Sequence, residues 1–158
     1  MRKPVLLTIK QRHVLLSKMD VFTKEKRHDV MSRVKSVNTK PEEAVRKFLF
    51  SQGFRYRKND KRYPGKPDIV LPKYHTVIFV NGCFWHQHQG CRAAALPAAN
   101  HEYWKEKLLR NKERDEKQIK ELEASGWRVI TVWECEINSK HKREERFELL
   151  LKQVTGSE

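Results

Sequence analysis

The stretch PDIVLPKYHTVIFVNGC, Pro67 to Cys83, decides how this chain folds. It holds two short apolar runs rich in β-branched residues, DIVL and TVIFV, joined by PKYH. Runs of that length and composition read as a hairpin or adjacent pair of strands buried at the centre of a sheet. Upstream, YPGKP sets two prolines around a glycine and must be a turn, and FRYRK before it alternates like a strand at a basic surface. Further upstream, VNTKPEEAVRKFLFSQG is the clearest helix. Thr39 is its cap, Glu42 takes the capping-box position, and Ala44, Val45, Phe48 and Leu49 form one apolar stripe before Gly53. Downstream, a long helix runs from a cap at Asn100 to a stop at Gly126. Its apolar spacing through Trp104, Leu108, Ile119 and Leu122 is interrupted by two polar residues, Asn111 and Asp115. WRVITVW is another strand, delivering Glu134, Cys135 and Glu136 at its end, and a last helix over about 142–153 offers Phe147, Leu150 and Leu151 to the core. Two strands, a long helix, a strand and a helix make an α/β domain with a central mixed sheet flanked by helices. Trp104, Trp127 and Trp133 are assigned to its core.

The chain of 158 residues suits one domain. Residues 1–21 show no packing pattern and are expected to be a poorly ordered or dispensable extension, with Met19 a natural start. Residues 22–154 form the domain and 155–158 a tail. The 34 Lys and Arg against 20 Asp and Glu leave a formal charge of +14, and a folded, strongly basic domain meets polyanions. No apolar run reaches the roughly 20 residues of a membrane span, and VLLTI is too short for a signal-peptide core, so the reading is cytoplasmic with no membrane partner. Three cysteines in a reducing compartment argue for metal ligation or catalysis rather than disulfides.

Cys83, His88 and Cys91 lie close in sequence and Cys135 arrives from a distant strand end, giving three thiolates and an imidazole. That is a closed, structural zinc shell that staples the loop after TVIFV to the strand WRVITVW. The choice between His86 and His88 is open on spacing alone, and the histidine spared from the metal is a natural general base or acid. Nothing in that loop suits magnesium, a hard cation that takes carboxylate, phosphate and water oxygens, whereas Asp68 at the start of a buried strand does.

The order of helix, strand with Pro-Asp, second strand and helix resembles the core of restriction-type nucleases. The second strand of that core carries an acid and a lysine two positions apart; here it ends FVNGC with neither, and His86 is the available substitute. KPDIV, VIFVNGCFWHQHQGC, NKERD and GWRVITVWECE, in this order, resemble the very-short-patch repair endonuclease family over roughly Phe22 to Ile137. The resemblance implies a restriction-endonuclease-like fold and a Mg²⁺-dependent nick of one strand immediately 5′ of the thymine in a T·G mismatch left by deaminated 5-methylcytosine. The substrate is then double-stranded DNA, met by a monomer working beside a cytosine-5 DNA methyltransferase. Asp68 matches the magnesium-binding aspartate, and the main-chain carbonyl of Val80 a second magnesium contact. His86 matches the histidine that activates water, and Glu42 an acid held near the waters around that metal. Cys83, His88, Cys91 and Cys135 match the zinc ligands. Phe84 and Trp85 match aromatics that enter the duplex beside the mismatch, with Met31 meeting them from the other groove. Cys83 and Cys91 enclose seven residues, one more than in the better-known members, with Gly90 the extra one. Position 81 is Asn where some relatives have a second histidine, which leaves Asn81 a contact with DNA at most. Two other functions compete: a zinc-stapled DNA-binding module without catalysis, for which Asp68 and His86 are superfluous, and a restriction endonuclease of the same fold cutting paired sites.

Overall fold

The computed structural model describes residues 23–34 and 36–156. The extension expected over residues 1–21 and the last two residues of the tail lie outside the described residues. Among the described residues, four α-helices and four strands follow in the order α1 (Lys24–Ser32), α2 (Lys40–Ser51), β1 (Arg57–Lys58), β2 (Ile69–Leu71), β3 (Thr76–Asn81), α3 (His101–Ala124), β4 (Arg128–Trp133) and α4 (Lys140–Thr155). No helix among the described residues is long and apolar enough to cross a membrane.

The strands form one sheet in the order β1-β2-β3-β4. β2 and β3 pair antiparallel, Val70 opposite Val77 and Leu71 opposite Thr76, with the 3-10 turn Pro72–Tyr74 between them. β4 then lies parallel to β3, Val80 opposite Val132 and Asn81 opposite Trp133. A parallel neighbour needs a crossover, and α3 supplies it. Of the basic stretch FRYRK only Arg57 and Lys58 pair with the sheet. Phe54 instead turns into the core, where its ring packs 5.0 Å from that of Tyr74.

Side-chain alternation assigns the two faces of the sheet. Ile69, Leu71, Ile78, Val80, Ile130 and Val132 point to one face and pack with Val45 and Leu49 of α2 and Phe147, Leu150 and Val154 of α4. Val70 and Val77 point to the other, under Leu122 of α3, with Phe79, Trp127 and Val129 half-buried around them. The result is helices on both faces of a short mixed sheet. Leu49, Ile78 and Leu150 are fully buried, so truncating any one to alanine would cost about 2–5 kcal/mol.

The capping readings translate into geometry with one shift. Thr39 Oγ1 accepts from the Glu42 N–H, but the Glu42 carboxylate reaches one residue further back, accepting from the Asn38 N–H at 2.8 Å. Asn100 holds the N-cap position of α3 in a left-handed conformation without a side-chain capping bond. The last helix runs two residues beyond the expected 142–153 at each end, closing on Gly156 at φ 71°.

Candidate active site

The C-terminal ends of β3 and β4, which lie side by side, deliver chemistry to the same edge. The loop that follows β3 brings Cys83, His88 and Cys91 to Cys135, which sits in the 3-10 turn after β4, and their ligand atoms all lie within 4.8 Å of one another. His88 Nδ1 is 3.6 Å from Cys83 Sγ and 3.3 Å from Cys135 Sγ. A tetrahedral zinc ion bound to sulfur and imidazole nitrogen would set those atoms roughly 3.5 Å apart, so the cluster has the size such an ion demands. Burial and the neighbouring sulfurs push the Cys135 thiol up to about 12, and burial raises Cys83 too. Cys91 is held below its usual value by the backbone N–H groups of Ala93 and Ala94 and its sulfur neighbours. Cys83 and Cys135 thus favour their protons unless a cation joins the cluster. Trp133, expected in the core, is only half-buried and instead stacks on the His88 ring, centroids 4.1 Å apart and planes within 5°.

Asp68 stands at the entry to β2, directly beside β3. Its Oδ2 accepts from the Val80 N–H at 2.7 Å, while Oδ1 has no hydrogen bond among the described residues. The structure therefore joins Asp68 to Val80, the pair expected to share a metal. Burial pushes Asp68 up to about 6; the Val80 N–H opposes this, the Glu42 carboxylate adds to it, and Arg46 and His86 oppose it more weakly. Glu42 is buried beside it and fully engaged: Oε1 accepts from Thr39 Oγ1 at 2.9 Å, and Oε2 from the Asn38 N–H and Arg46 Nη2. Arg46 also donates 3.1 Å to the Asp68 backbone carbonyl and 2.8 Å to Asn38 Oδ1. This buried arginine ties α2 to the start of β2, and removing one side of such a pair costs about 3–5 kcal/mol. Nothing in the pattern of α2 singled it out beyond its place opposite Glu42 at a helical i, i+4 spacing.

His86 and Asp68 line one open cleft of about 930 Å³, together with Glu42, Val80, Asn81, Trp85 and Met31 of α1. The partner of His86 comes from α3: its Nδ1 lies 2.5 Å from Asp115 Oδ2. Burial works against the Asp115 carboxylate, but the His86 ring and the Arg114 guanidinium outweigh it and hold the carboxyl below its ordinary value. An ionised Asp115 accepts, so His86 Nδ1 carries a proton, and in the neutral ring Nε2 is then the acceptor. Asn111, one turn earlier on α3, donates its amide to the Trp85 carbonyl at 3.2 Å. The two residues that interrupt the apolar stripe of α3 are thus the two that hold the loop of the histidine. Their polarity was visible in the sequence; what they touch was not.

Phe84 and Trp85 are half-buried rather than solvated. They form a cluster with Trp104, ring centroids 5.2 Å (Phe84–Trp85), 5.4 Å (Phe84–Trp104) and 5.9 Å (Trp85–Trp104) apart. Lys107 Nζ lies 5.8 Å from the Trp85 ring and 5.4 Å from that of Trp104. The reading of Trp104 as core is therefore corrected: it faces the loop aromatics, because α3 crosses the sheet further along, at Leu122. Trp127 is half-buried at the rim of the second cluster, edge-on to Tyr63 at 4.9 Å. Indole rings suit such half-wet positions as readily as a core, which is why spacing alone misplaced Trp104 and Trp133, while Trp127 does pack against the core.

A short mixed sheet between helices, with a carboxylate at the start of its second strand and a histidine beyond its third, defines a nuclease of the restriction-endonuclease-like class. The catalytic domain of the homing endonuclease I-Bth0305I has the same fold, with a TM-score of 0.52 over 75% of this chain and 97% of that one at 20% identity. The family model for DNA mismatch endonuclease Vsr matches residues 19–92. The chain is 40% identical to the DNA mismatch endonuclease Vsr of Escherichia coli (strain K12), over 78% of each chain. It is 54% identical to the Type II nicking enzyme V.NmeAIP of Neisseria meningitidis, over 85% of this chain and 96% of that one. It is 45% identical to the Type II nicking enzyme V.XorIIP of Xanthomonas oryzae, over 84% and 96%. This chain belongs to the Vsr DNA mismatch endonuclease family, and it is an endonuclease.

Proposed function

We propose that the protein nicks one strand of duplex DNA immediately 5′ of the thymine in a T·G mismatch, the lesion left by deaminated 5-methylcytosine, and so opens very-short-patch repair. The observation that carries this reading is the cleft lined by Asp68, His86, Met31 and Trp85, the last of these one ring of the aromatic cluster. Relatives named nicking enzymes and a mismatch endonuclease support the same chemistry and substrate.

In this reading His86 Nε2 takes the proton from the attacking water, Asp115 holds the ring in the required tautomer, and the water oxygen bonds to phosphorus as the bond to the departing sugar oxygen breaks. That oxygen takes its proton from solvent. The free Oδ1 of half-buried Asp68 suits a hard cation; Asp68 and the Val80 carbonyl would hold Mg²⁺, which when bound supplies positive charge for the scissile phosphate. Glu42 stands by as an acid near that metal. Cys83, His88, Cys91 and Cys135 hold one structural zinc, fixing both ends of the loop that carries His86. Phe84, Trp85 and Trp104 wedge into the duplex from one groove and Met31 from the other, with Asn81 a contact at most. Unstacking costs least at a mispair, so insertion selects it. The protein works in the cytoplasm as a monomer beside a cytosine-5 methyltransferase. Residues 22–154 suffice as the working domain, and a chain starting at Met19 keeps full activity.

The test is nicking, with Mg²⁺, of a panel of T·G duplexes in varied flanking sequence beside their fully paired counterparts. A nick mapped 5′ of the thymine supports the reading. Cutting of paired sites would make the protein a restriction endonuclease, and binding without cutting a DNA-binding module.

A further inference from the structure

Behind His86 a second cleft of about 470 Å³ shares a wall with the first: Gly65, Lys66, Phe79, Asn81 and His86 line both. Its remaining charges are Lys61, Arg114 and Asp115. The one carboxylate is already engaged by His86 and by Arg114 at 3.1 Å, whereas Lys61 and Lys66 have no carboxylate partner among the described residues. The cleft is thus cationic and opens beside the proposed general base. Neither charge nor position is needed by the proton transfer itself.

Lys66 is not an ordinary surface lysine. It is half-buried, and it sits in the left-handed region at φ 50°, which disfavours a residue with a Cβ. The turn that holds it is rigid. Pro64 and Pro67 flank it, the Lys66 N–H donates to the Tyr63 carbonyl at 3.0 Å, and Gly65 sits at φ 74°, close against Gln118 and Phe79. A Cβ there would meet Gln118 Oε1 at 2.8 Å and the Phe79 ring at 3.1 Å. Glycine or asparagine would relax residue 66, so a lysine held in this conformation, two residues before Asp68 and between both clefts, points to use of its charge.

We propose that this second cleft seats the phosphate next to the scissile one on the nicked strand, with Lys66 as its principal counter-charge and Lys61 assisting. The ligand class is a backbone phosphodiester. Lys66 is a positioning residue: by fixing the neighbouring phosphate it aligns the scissile phosphorus with the water held by His86. The inference rests on the nuclease reading above and adds a subsite to it.

The experiment pairs protein variants with substrates in which single phosphates flanking the nick are replaced by uncharged methylphosphonates. In single-turnover nicking of a T·G duplex, Lys66→Gln should lower the rate at saturating DNA by at least about tenfold, with Lys66→Arg restoring most of it. With one flanking phosphate neutralised, wild type should slow to the same level and Lys66→Gln should lose nothing further. Melting curves of the three proteins should coincide within a few degrees. Equal additional loss in Lys66→Gln on every methylphosphonate substrate, or Lys66→Arg no better than Lys66→Gln, would overturn the subsite while leaving the nuclease reading standing. A wild type that nicks no duplex would sink that reading and the subsite with it.

Discussion

His86 and Asp115 lie 29 residues apart in sequence and meet through Nδ1 and Oδ2 at 2.5 Å, one from the loop after β3 and the other from the middle of α3. The carboxylate dictates which ring nitrogen is free. Asp115→Asn would offer an amide N–H to Nδ1 and drive the proton to Nε2, so nicking should fall by a factor on the order of 10²–10⁴, as it should for His86→Ala. The double variant should be no slower than His86→Ala alone. Additive losses in single-turnover rates would mean that Asp115 acts elsewhere.

Asp68 ties activity to stability with opposite signs. Its folded-state value of about 6 lies above the ordinary 3.8, so the metal-free fold is penalised above pH 6, and the penalty is relieved as pH falls toward 4. Asp68→Asn should therefore abolish nicking, spare mismatch binding, and stabilise the metal-free protein at pH 8 by up to about 3 kcal/mol. That gain should vanish below pH 4. Thermal melts in chelator at both pH values decide it; a variant less stable than wild type at pH 8 contradicts the assignment.

Removing a ligand of the cysteine cluster should cost folding, not only rate. The purified protein should carry one equivalent of zinc, and Cys135→Ala should lose it and melt lower by roughly 10 °C or more. Elemental analysis and calorimetry provide the check, and a metal-free variant with an unchanged melting temperature would show that the four residues do not staple the loop.

The aromatic cluster should govern discrimination while the basic surface governs affinity. Trp85→Ala and Phe84→Ala should each remove about 1–3 kcal/mol of binding to a T·G duplex while leaving paired-duplex binding and its salt slope nearly intact. Trp104→Ala should behave like them, since its ring packs against both. Titrations across a salt series test this; an unchanged preference with a shallower slope would reduce the rings to support for the backbone-binding surface.

What the sequence disclosed depended on how local the physics was. The β2–β3 pair could be read because β-branched runs mark buried strands. The capping of α2 by Thr39 and the gathering of Cys83 and Cys91 with a histidine could be read because their spacing is short, whereas the choice of His88 over His86 came from the family resemblance. Cys135 followed from arithmetic, as the one thiol left over. The pairing of His86 with Asp115, the tie from Arg46 to the Asp68 carbonyl, and the stacking of Trp133 on His88 are set by how α2, α3 and β4 pack, which no short motif encodes. Asn111 and Asp115 did leave a trace, as polar residues on a face that should have been apolar. FRYRK misled because alternation says nothing about whether a partner strand is long enough to pair with it.

The most direct test of the account is single-turnover nicking, with Mg²⁺ and both strands end-labelled, of two duplexes that differ only in carrying T·G or C·G at one position. The account predicts a single product from the thymine strand, cut on the 5′ side of that thymine, and an intact C·G duplex over the same time. Equal cutting of the paired duplex, or cuts in both strands, would contradict it.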